Sequence, residues 1–174
     1  MIEAMQKLNF LLALGGIVGI FVTLFLLYDL KIKQRLTPLI RAWALLGAFF
    51  ATLGSSIMTL VYSEYFGITP CGLCWIERIA LYPQVLLLGM AFYYKDKLIA
   101  RYGIGLSTLG LIVSLYHHYI QMGGSEFVRC PTSGGDCTKR FLFEFDLVTF
   151  PLLAAILFAF LIVLYFYILK TRTD

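Results

Sequence analysis

The chain has 174 residues, of which 60% are hydrophobic and only 14% charged, and its mean hydropathy is +0.86. Soluble domains carry about 25% charged residues, so an ordinary water-soluble domain is excluded. The net charge of +4 is scattered over separated loops with no stripe that could follow a phosphate backbone, which argues against nucleic-acid binding.

A helix rises about 1.5 Å per residue, so about 20 apolar residues cross the roughly 30 Å hydrocarbon core of a bilayer. Five runs meet that requirement: residues 8–28, 42–62, 71–94, 102–121 and 150–169. The chain is therefore read as an all-α integral membrane protein forming a single membrane domain over residues 1–174. The first run follows Lys7 and invites comparison with a secretory signal. It is longer than a usual signal core and no clear small-residue cleavage site follows, so a retained helix is expected.

Charges in the connecting segments orient the spans. Lys31, Lys33, Arg35, Arg41, Lys95, Lys97, Arg101, Lys170 and Arg172 fall on one side. The other side holds Lys7, Arg78, Arg129, Lys139 and Arg140, diluted by Glu3, Glu64, Glu77, Glu126, Asp136, Glu144 and Asp146. The positive-inside rule then puts the N-terminus outside and the C-terminus in the cytoplasm. All four cysteines fall on the outer side, where disulfides form and persist. Their pairing is open on sequence alone.

"TPCGLCWIER" (69–78) opens the third span. Thr69 and Pro70 read as N-cap and first helical residue, placing Cys71 and Cys74 in the first turn, where backbone N–H groups and the helix dipole favour a thiolate. Arg78, four residues after Cys74, shares its face and adds a cation. This is a redox-active arrangement. Two plainer readings stand beside it. The four cysteines could hold a structural zinc ion, although six residues separate Cys130 from Cys137. Alternatively, both pairs could be inert structural disulfides.

The fourth span ends in "SLYHHYIQM" (114–122), where His117 and Gln121 share a face at a spacing of four. Arg78 lies 17 residues above Lys95 and His117 lies 16 above Arg101. Both are therefore roughly 25 Å above the basic inner edge at the helical rise, and Arg78, His117 and Gln121 could line one pocket near the outer interface. Ionisable groups at that depth are functional candidates. The simpler alternative is a histidine pair hydrated at the headgroups.

"CPTSGGDC" (130–137) is rich in turn formers and reads as a flexible polar excursion. That suits either a plain loop-closing disulfide or one exchanging with a soluble partner. The aromatic "KRFLFEFDLVTF" (139–150) reads as an interfacial anchor. The chain shows no dinucleotide fingerprint, haem-attachment motif or nucleotide-binding domain, so a dithiol here would need a membrane-soluble electron acceptor.

"CGLCWIERIALYP" (71–83), "SLYHHYIQ" (114–121), "CPTSGGDC" (130–137) and "FDLVTFPLLA" (145–154), in that order, resemble the DsbB family of bacterial membrane oxidoreductases that generate disulfides, closest to its BdbC-like branch. The related vitamin K epoxide reductase family places its loop pair before C-x-x-C and fits less well. The resemblance implies a four-helix bundle over residues 42–169 with an extracytoplasmic loop at 122–149, and leaves helix 8–28 as an addition. It implies a bacterial cytoplasmic (inner) membrane location and a quinone, ubiquinone or menaquinone, as cofactor from the respiratory pool. The implied partner is a thioredoxin-like, DsbA-type thiol oxidase. Carried over by position, Cys130 forms the mixed disulfide with that partner, Cys137 exchanges with Cys71, and Cys74 faces the quinone. Arg78 would polarise a quinone carbonyl and the Cys74 thiolate, with His117 and Gln121 nearby.

Overall fold

The computed structural model describes residues 2–33, 37–125, 130 and 135–170. The loop charges Arg35, Glu126, Arg129 and Arg172 and the turn formers Pro131, Ser133 and Gly134 lie outside these residues, as do the side chains of Lys33 and Arg41.

Five helices run in chain order: α1 (Ile2–Tyr28), α2 (Thr37–Leu60), α3 (Gly72–Tyr94), α4 (Ile99–Gln121) and α5 (Phe150–Leu169). A π-helical turn extends α1 over Asp29–Lys33 and another extends α2 over Val61–Tyr65. All five helices are long and apolar enough to cross a membrane. α1 begins six residues before the expected position, α2 five before and α4 three before, because helices continue into the headgroup region where polar residues are tolerated. α5 matches its expected bounds. Its start is specified locally: Thr149 is extended, its hydroxyl accepts the Leu152 N–H (3.4 Å), and Pro151 occupies the first turn.

α5 is the central helix, packing on α4, α2 and α1, while α3 packs on α4 and α2. The main core joins Ala44 and Ala48 of α2, Leu81 and Leu88 of α3, and Phe158 and Leu161 of α5. Close approach depends on small residues, as usual where lipid removes the hydrophobic drive between helices. Gly103 and Gly110 of α4 lie directly under the rings of Tyr165 and Phe158.

The interior also holds a polar knot. The Gln84 side-chain oxygen accepts from Tyr165 (2.6 Å) and Ser107 (3.1 Å), and its amide donates to the Ala80 carbonyl (2.8 Å). Towards the basic side, Tyr167 donates to the Leu26 carbonyl (2.8 Å) and lies 3.1 Å from Asp29 Oδ2, tying α5 to the end of α1.

The aromatic segment after the loop folds as a tight turn in which the Val148 N–H donates to the Glu144 carbonyl (2.8 Å), with Phe145 and Asp146 left-handed. Leu142 and Val148 are buried beneath it against Ala13 of α1.

Candidate functional site

The start of α3 differs from the expected cap. Cys71, not Thr69, is the N-cap: its backbone is extended, and its sulfur accepts the Cys74 N–H at 3.3 Å. Thr69 and Pro70 stay outside the helix because their backbone serves another purpose. The Gly135 N–H donates to the Pro70 carbonyl (3.3 Å), and Cys71 pairs with Gly135 in a parallel bridge. A Cβ at position 135 would sit 2.5 Å from the Thr69 carbonyl oxygen, so the approach requires glycine. The described end of the excursion is thus fastened to the chain entering α3. Asp136 tightens it, accepting the Thr138 N–H (2.9 Å) and hydroxyl (2.8 Å); those bonds hold its carboxyl below the usual range.

This fastening brings the two cysteine pairs together. Cys130 and Cys137 form a disulfide, while Cys71 and Cys74 are free with their sulfurs 2.9 Å apart. The sulfurs of Cys71, Cys130 and Cys137 all lie within 4.8 Å of one another. Cys137 is buried and Cys130 half-buried, so Cys130 is the sulfur more open to an incoming thiol. The Cys71 thiol is held well below the ordinary range, first by its hydrogen bond with Cys74 and then, against the cost of burial, by His117.

His117, only 1% exposed, reaches this cluster from α4. Its Nε2 faces the Cys71 sulfur (3.6 Å) and the Cys137 carbonyl (3.3 Å), and its Nδ1 lies 3.0 Å from Glu77 Oε1. With Nδ1–H given to Glu77, a neutral ring presents a lone pair to the Cys71 S–H; a protonated ring instead donates to the Cys71 thiolate or the Cys137 carbonyl. Gln121, one turn on, donates to the Lys139 (3.1 Å) and Cys137 (3.4 Å) carbonyls, holding the loop from below. His118 points elsewhere and pairs with Thr149 (2.8 Å).

Arg78 donates to the Thr59 carbonyl (3.0 Å), just before the π-helical turn of α2, and its guanidinium lies over the Trp75 ring (5.4 Å). Among the described residues Arg78 makes no contact with Cys74; the expected pairing of its charge with that sulfur is not seen, and the two residues only border the same cavity. Cys71, Cys74, Arg78, His117 and Gln121 all border one apolar cavity of about 670 Å³. Cys130 and Cys137 stand behind Cys71. Glu77 is a residue the sequence reading counted only as an outer-side acid. Its signal was present: an acid inside a membrane span, one residue before the arginine.

A membrane-embedded bundle that holds a free dithiol against a loop disulfide defines a membrane thiol–disulfide oxidoreductase. The family model described as "Disulfide bond formation protein DsbB" matches residues 40–168. A Bacillus cereus protein named "Probable disulfide formation protein C 1" is 38% identical over 146 residues, covering 80% of this chain and 97% of the relative. "Disulfide bond formation protein C" of Bacillus subtilis is 34% identical over 139 residues, covering 79% and 96%. No solved structure matches. The chain belongs to the DsbB family.

Proposed function

We propose that the protein reoxidises a soluble thioredoxin-like dithiol and passes the electrons through its two cysteine pairs to a quinone. The observation that carries this reading is the position of Cys71, within 4.8 Å of both loop sulfurs and 2.9 Å from Cys74, which opens on the apolar cavity.

The thiol steps balance as exchanges. A partner thiolate attacks Cys130, forming a mixed disulfide and releasing Cys137 as thiolate. The second partner thiol then resolves it, leaving the partner oxidised and Cys130 and Cys137 reduced. Cys137 attacks the Cys71 sulfur of a Cys71–Cys74 disulfide and releases the Cys74 thiolate. Cys130 closes on Cys137, leaving the loop oxidised and the inner pair reduced, the arrangement seen in the structure. That closure releases Cys71 as a thiolate, and His117, held by Glu77, would keep a proton beside it.

A bound quinone supplies a two-electron, two-proton acceptor. Two observations support its fit: the cavity is mostly apolar, and Arg78 offers donors on one wall. Arg78 is the residue that would donate to its polar head, while Gln121 borders the same cavity and spends its amide on the loop carbonyls. The proposed topology places the N-terminus and the cysteine loops outside a bacterial cytoplasmic membrane and the C-terminus in the cytoplasm.

The test is anaerobic mixing of fully reduced protein with ubiquinone or menaquinone, following quinone absorbance. Stoichiometric reduction that is lost in Cys74→Ala is expected. No reduction of either quinone by the parent protein overturns the reading.

A metal-binding reading has one observation in its favour. Ligand atoms of Cys71, Cys74 and His117 lie within 4.8 Å of one another. Its four-thiolate form requires the Cys130–Cys137 disulfide to be opened. Stoichiometric zinc in the purified protein, by elemental analysis, would favour it.

A further inference from the structure

The family match begins at residue 40, so α1 lies outside it. α1 is nonetheless built into the site. Asn9 is only 5% exposed. Its amide donates to the Phe141 carbonyl (3.1 Å), and its oxygen accepts from the Tyr62 hydroxyl (2.6 Å). Phe141 lies four residues after Cys137, and Tyr62 lies in the π-helical turn just beyond Thr59, which holds Arg78. One α1 side chain therefore bridges the two segments that bracket the dithiol.

The flanking residues Leu8 and Leu12, four apart on one face, border the same cavity as Cys74, Arg78 and Gln121. Leu12 also packs in the cluster of Ala13, Leu142, Val148 and Leu153. Below it, Gly16 lets α1 close on α5, since any Cβ there would run into the Leu153 side chain. Glycine packing and the Tyr167 contacts already dock the lower half of α1. A buried asparagine adds a polar group that membrane helices carry only at a cost when it lacks partners. Its two partners are both elements of the redox site.

We propose that α1 is a wall of the electron-acceptor site added to the four-helix core: Leu8 and Leu12 shape its apolar side for an isoprenoid quinone, and Asn9 latches that wall to the disulfide loop and to α2. This rests on the quinone reading above.

The test uses the full chain in nanodiscs, with dithiothreitol as electron donor and ubiquinone-1 as acceptor. Leu12→Trp, which fills the cavity, should raise the KM for ubiquinone-1 about tenfold or more, while the KM for dithiothreitol moves less than about twofold. Asn9→Leu, which keeps bulk but removes both bonds, should raise the quinone KM about fivefold. Combined with Tyr62→Phe it should add little, because the two changes break one shared bond. If the parent protein reduces ubiquinone-1 and folded Leu12→Trp keeps its quinone KM within about twofold, the α1 wall is overturned and the quinone reading stands. Should Leu12→Trp fail to fold, Leu8→Ala decides: a rise of about threefold supports the wall, and an unchanged KM overturns it. A parent protein that reduces no quinone overturns both.

Discussion

The backbone of Gly135 is hydrogen-bonded to that of Pro70, 3.3 Å from nitrogen to oxygen, so the disulfide loop is stitched to the residue immediately before Cys71. The contact sets how closely the two cysteine pairs meet. Gly135→Ala puts a methyl group 2.5 Å from the Thr69 carbonyl oxygen. That neighbour is backbone and cannot swing aside, so the loop must lift. Displacements near 1 Å can cost about a hundredfold in rate. Exchange between the pairs, trapped by acid quench, should slow about tenfold or more, and an unchanged rate in folded protein would remove the stitch from the mechanism.

Of the two histidines, both among the described residues, His117 reaches the Cys71 sulfur, and Glu77 orients it. His117→Ala should lower turnover about a hundredfold, within the usual range for a positioned acid–base group. Glu77→Gln keeps a hydrogen-bonding side chain but loses the charge that stabilises a protonated ring, and a smaller loss of about tenfold is expected. Steady-state rates with dithiothreitol and ubiquinone-1 check both. Equal, negligible effects would make this ion pair merely structural.

Arg78 is held at two points, by the Thr59 carbonyl and by the face of Trp75. A lysine retains the charge but not the planar fork that allows both contacts. Arg78→Lys should therefore behave nearly as Arg78→Ala, each raising the quinone KM about tenfold with a smaller change in kcat. Full recovery in the lysine variant would show that charge alone suffices.

Cys71 should be a thiolate at neutral pH. Its proton is released below the ordinary thiol value of about 8.5, because the Cys74 hydrogen bond and then His117 favour the anion. With the loop oxidised and the inner pair reduced, absorbance at 240 nm should show one thiolate at pH 7, lost on acidification. Cys74→Ala removes the largest cause, so the transition should move upward in pH. The sign for stability follows: the contribution is complete above the unfolded thiol's pKa and disappears as pH falls through the lower folded value. A single transition near pH 8.5 in the parent protein would contradict the geometry.

The seam between α4 and α5 should be the most sensitive to added bulk. Gly110→Ala drives a methyl group into the Phe158 ring, and Gly103→Ala does the same to Tyr165. Overpacking of this kind costs about 1–3 kcal/mol. Thermal unfolding in detergent should show a clear loss of Tm for each, whereas Gly105→Ala, which meets open space, should change little.

The number and order of spans were legible because length and apolar character alone decide them, and α5 carries its own cap in Thr149 and Pro151. Arg78 and His117 could be placed at one level because helical rise converts residue counts into depth, and Gln121 joined them through its shared face with His117. What could not be read depended on contacts between distant segments. The Thr69–Pro70 cap was misassigned because local propensity cannot register Gly135 claiming the Pro70 carbonyl. Glu77 was overlooked because its importance comes from α4, 40 residues away. Asn9 belongs to no motif in the sequence; its place in the site comes only from Tyr62 and Phe141, which close around it.

The Gln84 knot bears on how the chain assembles rather than on what it does. Sliding α3 past α4 or α5 by one turn would leave Gln84, Ser107 and Tyr165 facing hydrocarbon instead of one another, and lipid offers them no substitute partner. The leucines, alanines and phenylalanines around them would tolerate many alignments. Three polar side chains thus act as a vernier for the bundle, selecting the single alignment of α3 and α4 that brings Glu77 level with His117.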